Sequence, residues 1–526
     1  MKKNAAIIFR SLLLLLAGII IGFMLNDNSG PNISLVNRDK ISRSLNLVKK
    51  YYVDSVNVDS VEGATINNFL QNLDPHSLYL PPQQATAINE KLDGGFNGFG
   101  IEYQLLRDTL VITQVYNGGP AQMAGITTGD RVISINNKIF AGTHLTPKII
   151  NTTFRDEKNS GVTLSVLMEN NAIKTYHLKR GHVDLSSLDA AYIAAPETGY
   201  IKISKFAATT DDDFRASLNK LKAEGMKKLV LDLRGNGGGY LNSATELASE
   251  FLDKGKLIVY TKGVHEQRKD YFATDSGLFQ QGKLAVLIDE YSASASEILA
   301  GALQDFDRAI IVGRRSFGKG LVQQQFGFDD GSAVNLTVAR YYTPSGRSIQ
   351  KSYKGGVDSY HNELAERMQK GELFSAESYF KDSTFKTATA YHTSGGRKVF
   401  SGGGIMPDVF VPADTTGDSQ LIQQLDDQQL FIAYVIDKMQ PVLKGYDTGD
   451  NFVKHYTVSD DQFSDFIIYA SQTIKEMDSN DVSNSKESIK TLIKAFSARY
   501  KWGDTAYYQA INNDDSALKK AIAAIK

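Results

Sequence analysis

Apolar positions are densest at the start of the chain, where Lys2 and Lys3 precede a run from Ser11 to Leu25, with Ala5 to Phe9 extending it across Arg10. A helix needs roughly 20 apolar residues to cross a bilayer, and an arginine near one end can snorkel to the interface. A cleaved signal would close with a small-x-small site, but the flank reads Asn26-Asp27-Asn28-Ser29-Gly30. An uncleaved anchor over residues 1–26 is therefore expected. Its lysines stay cytoplasmic and the rest of the chain is exported, to the periplasmic side in a Gram-negative cell.

Helical spacing follows over 27–89, through Leu45, Leu47, Val48, Ile66, Phe69 and Leu70, with a turn at Asp74-Pro75-His76-Ser77. From 90 to 181 the pattern shortens to alternating strands at Ile101–Leu105, Thr109–Val115 and Arg131–Ile135, punctuated by glycine. A larger block, 182–414, alternates strands with helices. The strands are Gly199–Ile203, Lys228–Arg234, Leu257–Thr261, Leu284–Ile288, Ala309–Val312 and Ala333–Tyr341; the helices include Asp211–Glu224 and Asn242–Leu252. This predicts a mixed sheet flanked by helices. The remainder, 415–526, reads as amphipathic helices over Leu421–Leu443 and Val482–Tyr500, with no chemistry visible. The fold class is multidomain α/β: an anchor and helical region, a β-rich domain, an α/β core and a helical C-terminal region.

Composition narrows the function. With 58 basic and 59 acidic residues the net charge is −1, which gives no electrostatic footprint for nucleic acid. There is no cysteine, which excludes disulfides, thiolate catalysis and Cys-ligated zinc.

In the β-rich domain, Gly98-Phe99-Gly100-Ile101 precedes a strand, and Gly118-Gly119-Pro120-Ala121 and Gly125–Asp130 precede another. This order resembles a PDZ domain. In such a domain Gly98, Phe99, Gly100 and Ile101 form the carboxylate loop, whose backbone N–H groups receive a peptide C-terminus while the peptide adds as a strand.

Three further pieces carry chemistry. Tyr291-Ser-Ala-Ser-Ala-Ser-Glu297 sits between a buried strand and a helix, a place suited to a nucleophile and equally to an N-cap, since Ser294 and Glu297 fit a capping box. Arg234-Gly-Asn-Gly-Gly-Gly239 follows a strand and suits an oxyanion hole, a phosphate or a plain turn. Gly313 to Gly320 nearly matches a phosphate loop, but residue 320 is glycine where a hydroxyl is needed, and a strand rather than a helix follows. Lys319, flanked by glycine and apolar residues, is either a solvated lysine or one whose pKa is depressed by burial.

Together, Ser292–Ile298, Phe317–Gln323, Leu233–Gly239 and Tyr342–Gln350 resemble the carboxyl-terminal processing (tail-specific) proteases, as do Asp74–Ser77 and Gly403–Asp408. The resemblance covers about Ile41 to Pro412. It implies a serine endopeptidase with Ser294 as nucleophile, Lys319 as its base and Gln323 orienting the lysine, and with the amides of Gly238 and Ala295 as oxyanion hole. It implies no cofactor and no metal. The expected partners are polypeptides held by their C-termini and the membrane; a homo-oligomer remains open. Two departures limit it: residues 352–400 exceed the family core, and the last hundred residues match nothing in it. The competing readings are a Ser/His/Asp protease, for which His76 and His265 lack a matching motif, and a non-catalytic PDZ scaffold.

Overall fold

The computed structural model describes residues 39–142, 145–155, 160–168, 172–274, 277–376, 388–414 and 419–526. The expected anchor lies outside them, and no helix among the described residues is long and apolar enough to cross a membrane. The chain divides into two units, 1–69 and 70–526. Helix α1 (Asp39–Tyr51) of the first ends on Lys49 and Lys50, cations placed against C-terminal carbonyls. Helix α2 spans Val58–Gln71. The helical pattern expected up to 89 is interrupted by a strand, β1 (Leu78–Leu80), before α3 (Pro82–Asp93). Leu80 and Ala85 are buried against Ala333, so packing on a sheet overrides helical spacing here.

The β-rich domain runs through β2 (Gly95–Gly98), β3 (Ile101–Leu106), β4 (Thr109–Val115), α4 (Pro120–Ala124), β5 (Arg131–Ile135) and β6 (Lys138–Ile139). It continues through α5 (Pro147–Arg155), β7 (Gly161–Leu167), β8 (Ile173–Lys179) and β9 (Gly181–Asp184). The main sheet has the order β3-β4-β5-β7-β8 and is antiparallel throughout, which leaves β3 as an edge strand. Its inner face packs Leu110, Ile112, Val132, Leu164 and Val166 on Phe99 and on Phe154 of α5. The ring of Phe154 stacks on Tyr103 of β3 at 5.0 Å, fixing α5 alongside that edge.

Next come β10 (Leu188–Ala195), β11 (Thr198–Ile203), α6 (Thr210–Ala223), β12 (Lys228–Asp232), α7 (Leu241–Ser249), β13 (Leu257–Lys262) and β14 (Lys269–Phe272). They are followed by β15 (Lys283–Ile288), α8 (Ala295–Asp305), β16 (Ile310–Gly313), β17 (Leu321–Gly327) and β18 (Ala333–Tyr342). Helix α9 (Val357–Gln369), the hairpin β19 (Ala390–His392) and β20 (Lys398–Phe400), and β21 (Val409–Phe410) complete the block. The single mixed sheet expected from the sequence is in fact two sheets. One has the order β10-β11-β12-β15-β16-β21 and is parallel from β11 onward. The other joins β1, β18, β13 and β14, with β17 also paired to β18, and is antiparallel. Strands 257–262 and 333–342 belong to the second because their faces are only half buried, whereas parallel strands are covered on both sides.

The C-terminal region supplies one of those covers. Its helices are α10 (Gln420–Asp427), α11 (Leu430–Tyr434), a π segment Val435–Met439, α12 (Gln440–Lys444), α13 (Gly449–His455) and α14 (Asp460–Ser471). They continue as α15 (Ser479–Asn484), α16 (Lys486–Trp502), α17 (Asp504–Ile511) and α18 (Ser516–Ala524). Leu518 and Ala521 of α18 pack on Tyr200, Val230, Ala285, Leu287 and Val312 of the parallel sheet. The opposite face is buried under α6, α7 and α8. The single helix expected over 421–443 is broken at Gln428-Gln429, where Gln429 takes φ 58°, and that over 482–500 is broken at the buried Ser485.

Candidate active site

Strands β12 and β15 are parallel neighbours, so the turns that leave them emerge side by side at the carboxyl end of the sheet. The turn after β15 holds three serines with different duties. The Ser292 hydroxyl accepts from the Asp289 amide at 2.9 Å and donates to the Leu233 carbonyl at 2.9 Å. The Ser296 hydroxyl donates to the Asn236 carbonyl at 2.9 Å. Both are fully buried locks between the two turns. Ser294, only partly buried, caps α8 with φ 55° and ψ −112°. A non-glycine residue keeps such a conformation only when its surroundings over-determine it.

The glycine turn after β12 is clamped at its first residue. Arg234 binds Asp232 at 2.6 Å and Asp515, from the C-terminal region, at 2.7 Å. The Gly235 amide donates to the Asp289 carboxylate at 2.9 Å, and the Ala293 amide donates to the Asn236 carbonyl at 3.0 Å. Gly238, at φ 108°, comes so close to the serine turn that a Cβ on it would lie 2.8 Å from Ser294 Cβ and 3.1 Å from the Ala295 nitrogen. The structure brings Gly238, Ser294 and Ala295 together. One detail differs from an open oxyanion hole: the Gly238 amide donates to Asn236 Oδ1 at 2.9 Å. Ala295 opens α8, where amides have no intrahelical acceptor.

Glu297, read from sequence only as a cap, is the hub. Its Oε2 accepts from the amides of Ser294 and Lys319, each at 2.8 Å. Its Oε1 accepts from the Ser316 hydroxyl at 2.5 Å and the Gly318 amide at 2.7 Å. One buried carboxylate therefore fixes the serine turn and the lysine loop together. Burial raises its pKa from 4.5 to about 7, although all four donors act in the opposite direction. The Tyr341 hydroxyl adds a second link, reaching both the Ser294 and Lys319 carbonyls.

Burial also lowers the pKa of Lys319, with Glu297 and Asp74 partly opposing it. Gln323 lies on β17, and its amide donates to Thr337 Oγ1 at 3.2 Å; that hydroxyl donates to Asp74 at 3.0 Å. Asp74 is held in turn by the Ser77 hydroxyl and by the amides of His76 and Ser77. Sequence reasoning left Asp74-Pro-His-Ser77 without a role, and the structure makes it the outer support of Gln323. Burial and the nearby lysine push His76 down to about 3, and its Nε2 meets the Tyr360 hydroxyl at 2.8 Å. His265 is exposed, and among the described residues no histidine bonds to Ser294. The segment 352–400 also acquires a place here. Its Glu372 binds Arg315 at 2.7 Å, and its Arg367 donates to the Arg315 carbonyl at 2.8 Å, steadying the loop that presents Lys319.

In the β-rich domain the Phe99 side chain is buried in the core, while Gly98 pairs with Gly181 of β9. Gly100 has φ 75°, and a Cβ there would lie 3.2 Å from Gly119 Cα. The loop therefore offers backbone, not side chains, at the head of the β3 edge.

The α/β block thus joins a serine at a strand-to-helix turn to a buried lysine loop, and it follows a β-rich module. Residues 197–359 match Peptidase family S41 and residues 88–167 the PDZ domain, while 421–503 match a family of unknown function, DUF8443. The chain is 33% identical over 317 residues to the carboxy-terminal processing protease CtpB of Bacillus subtilis, covering 60% of this chain and 65% of that protein. It is 34% identical over 319 residues to a probable CtpA-like serine protease of Staphylococcus aureus, covering 60% and 62%. The chain thus spans a little under two thirds of the length of these relatives. The solved photosystem II D1 C-terminal processing protease is 26% identical, covering 59% of this chain and 89% of its own, with a TM-score of 0.32, too low to bear on the fold. The α/β block is thus similar to Peptidase family S41, and the longer stretch that includes the PDZ match is similar to carboxy-terminal processing proteases.

Proposed function

We propose that this chain is an endopeptidase that takes the free C-terminus of an exported polypeptide on its PDZ domain and cleaves an upstream bond with Ser294. The observation that carries the reading is Glu297, a single carboxylate bonded to the amides of both Ser294 and Lys319. Ser294 Oγ attacks the scissile carbonyl as its proton passes to the neutral Lys319 amine. The oxyanion is received by the Ala295 amide and by Gly238, whose amide exchanges Asn236 for the charged oxygen. Collapse expels the amine, which takes the proton from Lys319; water then gives its proton to Lys319 and attacks the acyl-enzyme. Ser294 regains its proton as the acid leaves. Gln323, whose amide nitrogen is engaged by Thr337, keeps its carbonyl for the lysine amine. No step uses a metal or cofactor. The apolar run 5–25 anchors the enzyme, with its catalytic domain on the exported side.

The test is a protein substrate with an apolar, unblocked C-terminus. Ser294→Ala should abolish cleavage with the fold intact, and Ser292→Ala or Ser296→Ala should retain nucleophilic chemistry at a cost in stability. Full activity in Ser294→Ala overturns the assignment.

A further inference from the structure

The C-terminal helical region lies against the PDZ domain at the place where a bound peptide would run. Between β3 and α5 a cleft of about 400 Å³ is walled on one side by Tyr103, Leu105 and Ile150. Its far wall is the turn between α10 and α11, with Asp427, Gln428 and Gln429. That turn is tightly made. The Gln429 amide donates to the Asp426 carbonyl at 2.7 Å, and Gln429 is held at φ 58°, a conformation that non-glycine residues rarely adopt. A second, independent signal comes from Gln104, which also lines the cleft: its Oε1 is buried with no hydrogen-bond partner among the described residues. A buried acceptor left unpaired is costly and asks for a donor.

We infer that this cleft is a substrate subsite that selects a lysine or arginine two to four residues upstream of the substrate's C-terminus. The inference rests on the reading of Gly98–Ile101 as the carboxylate loop. A peptide added to the free β3 edge runs antiparallel from that loop, so its residues past the terminus pass Tyr103 and Leu105 in turn. The side chain that enters there meets the apolar residues Tyr103, Leu105 and Ile150, and beside them Gln104, Gln428, Gln429 and the Asp427 carboxylate. No basic residue is among those lining the cleft. Asp426, beside Asp427, has its own pKa raised by burial and by that neighbouring carboxylate, so the turn gains from an incoming cation. A long aliphatic stem with a cationic head satisfies both parts, whereas a carboxylate or a short apolar side chain satisfies only one or neither. The C-terminal region thereby becomes part of the specificity apparatus.

The experiment uses the full chain carrying Ser294→Ala and fluorescent decapeptides ending in a free valine, with lysine, alanine or glutamate at the third residue from the end. Fluorescence anisotropy should give the lysine peptide a Kd about fivefold below that of alanine, with glutamate weaker still, and the difference should shrink at high salt. Asp427→Lys should reverse the order of lysine and glutamate, and Gln104→Glu should enlarge the lysine preference. Equal affinities for all three free peptides, unmoved by Asp427→Lys, overturn the subsite. The amidated lysine peptide separates the two readings. If amidation leaves binding unchanged, C-terminal capture itself fails; if only the amidated peptide is weak and side-chain identity has no effect, capture stands and the subsite falls.

Discussion

The crevice around Ser294 and the cleft beside β3 are built on opposite plans. In the crevice the buried carboxylates of Glu297, Asp232 and Asp289 are all engaged by donors, and the serine locks leave neither turn room to drift. At the cleft, the lining residue Gln104 has a buried oxygen with no partner among the described residues, and the carboxylate of Asp427 is exposed. Satisfied networks rigidify and unsatisfied groups recruit. Chemistry needs atoms held before the substrate arrives, while recognition draws affinity from bonds completed only on binding.

The largest break in that contrast comes from the proposed base, Lys319. Lys319→Ala and Lys319→Arg should each lower kcat by about 10³-fold or more, because arginine retains a charge that cannot be released near neutrality. Turnover assays on both variants check this, and an active Lys319→Arg would remove the lysine from the mechanism. Next is Glu297→Gln, which presents an NH2 group to two backbone donors. We expect a loss of about 10²-fold in kcat with KM little changed, and a destabilisation of about 2–4 kcal/mol from buried donors left without acceptors. Denaturant melts and steady-state kinetics read the two effects separately.

A pH series sharpens the same point because two signs oppose each other. Activity should rise as pH increases through about 7, where Glu297 ionises and can accept all four bonds, and should rise further as Lys319, its pKa lowered by burial, gives up its proton. Stability runs the other way for the carboxyl. Its folded value lies above its ordinary 4.5, so its contribution is complete below 4.5 and is lost as pH rises through about 7. The stability of wild type relative to Glu297→Gln should therefore decline across that window while the activity of wild type climbs. A parallel rise of both would show that the carboxyl is ionised at lower pH than its burial implies.

The strands of the crevice were legible because parallel strands covered on both faces read as unbroken apolar runs, as in Leu284–Ile288 and Leu229–Leu231. The turns at their ends stood out through motifs. What escaped was contact at long range. Glu297 looks like any capping glutamate until Ser316 and Lys319, some twenty residues on, fold back onto it. The support given to Gln323 by Asp74 spans more than two hundred residues and passes through Thr337, so no local pattern shows it. The C-terminal helices showed their amphipathicity but not their target: α18 completes the parallel sheet and the α10–α11 turn closes the PDZ cleft, both surfaces made by distant segments. Breaks within those helices depend on Gln429 and Ser485, residues that helical patterns tolerate.

The smallest effect belongs to the polar contacts joining the PDZ domain to the C-terminal helices. Asp437, in the π segment, pairs with Arg107 at 2.6 Å and Arg131 at 3.3 Å and accepts from the Tyr469 hydroxyl at 2.9 Å. Arg107 and Arg131 are substantially exposed, at 68% and 43%, so water and salt screen both pairs. Beneath them Val111 of β4 packs against Ile432 and Ile436, a contact that does not depend on charge. Asp437→Ala should therefore cost less than about 1 kcal/mol, and raising the salt concentration should abolish most of that difference. Hydrogen exchange at the β3 and β4 amides is the sensitive readout, with acceleration of no more than about fivefold expected in the variant. A much larger acceleration, with the β3 edge exchanging as if the C-terminal helices had departed, would mean that the charges and not the apolar contact hold the two regions together. The cleft would then owe its shape to electrostatics that physiological salt already weakens.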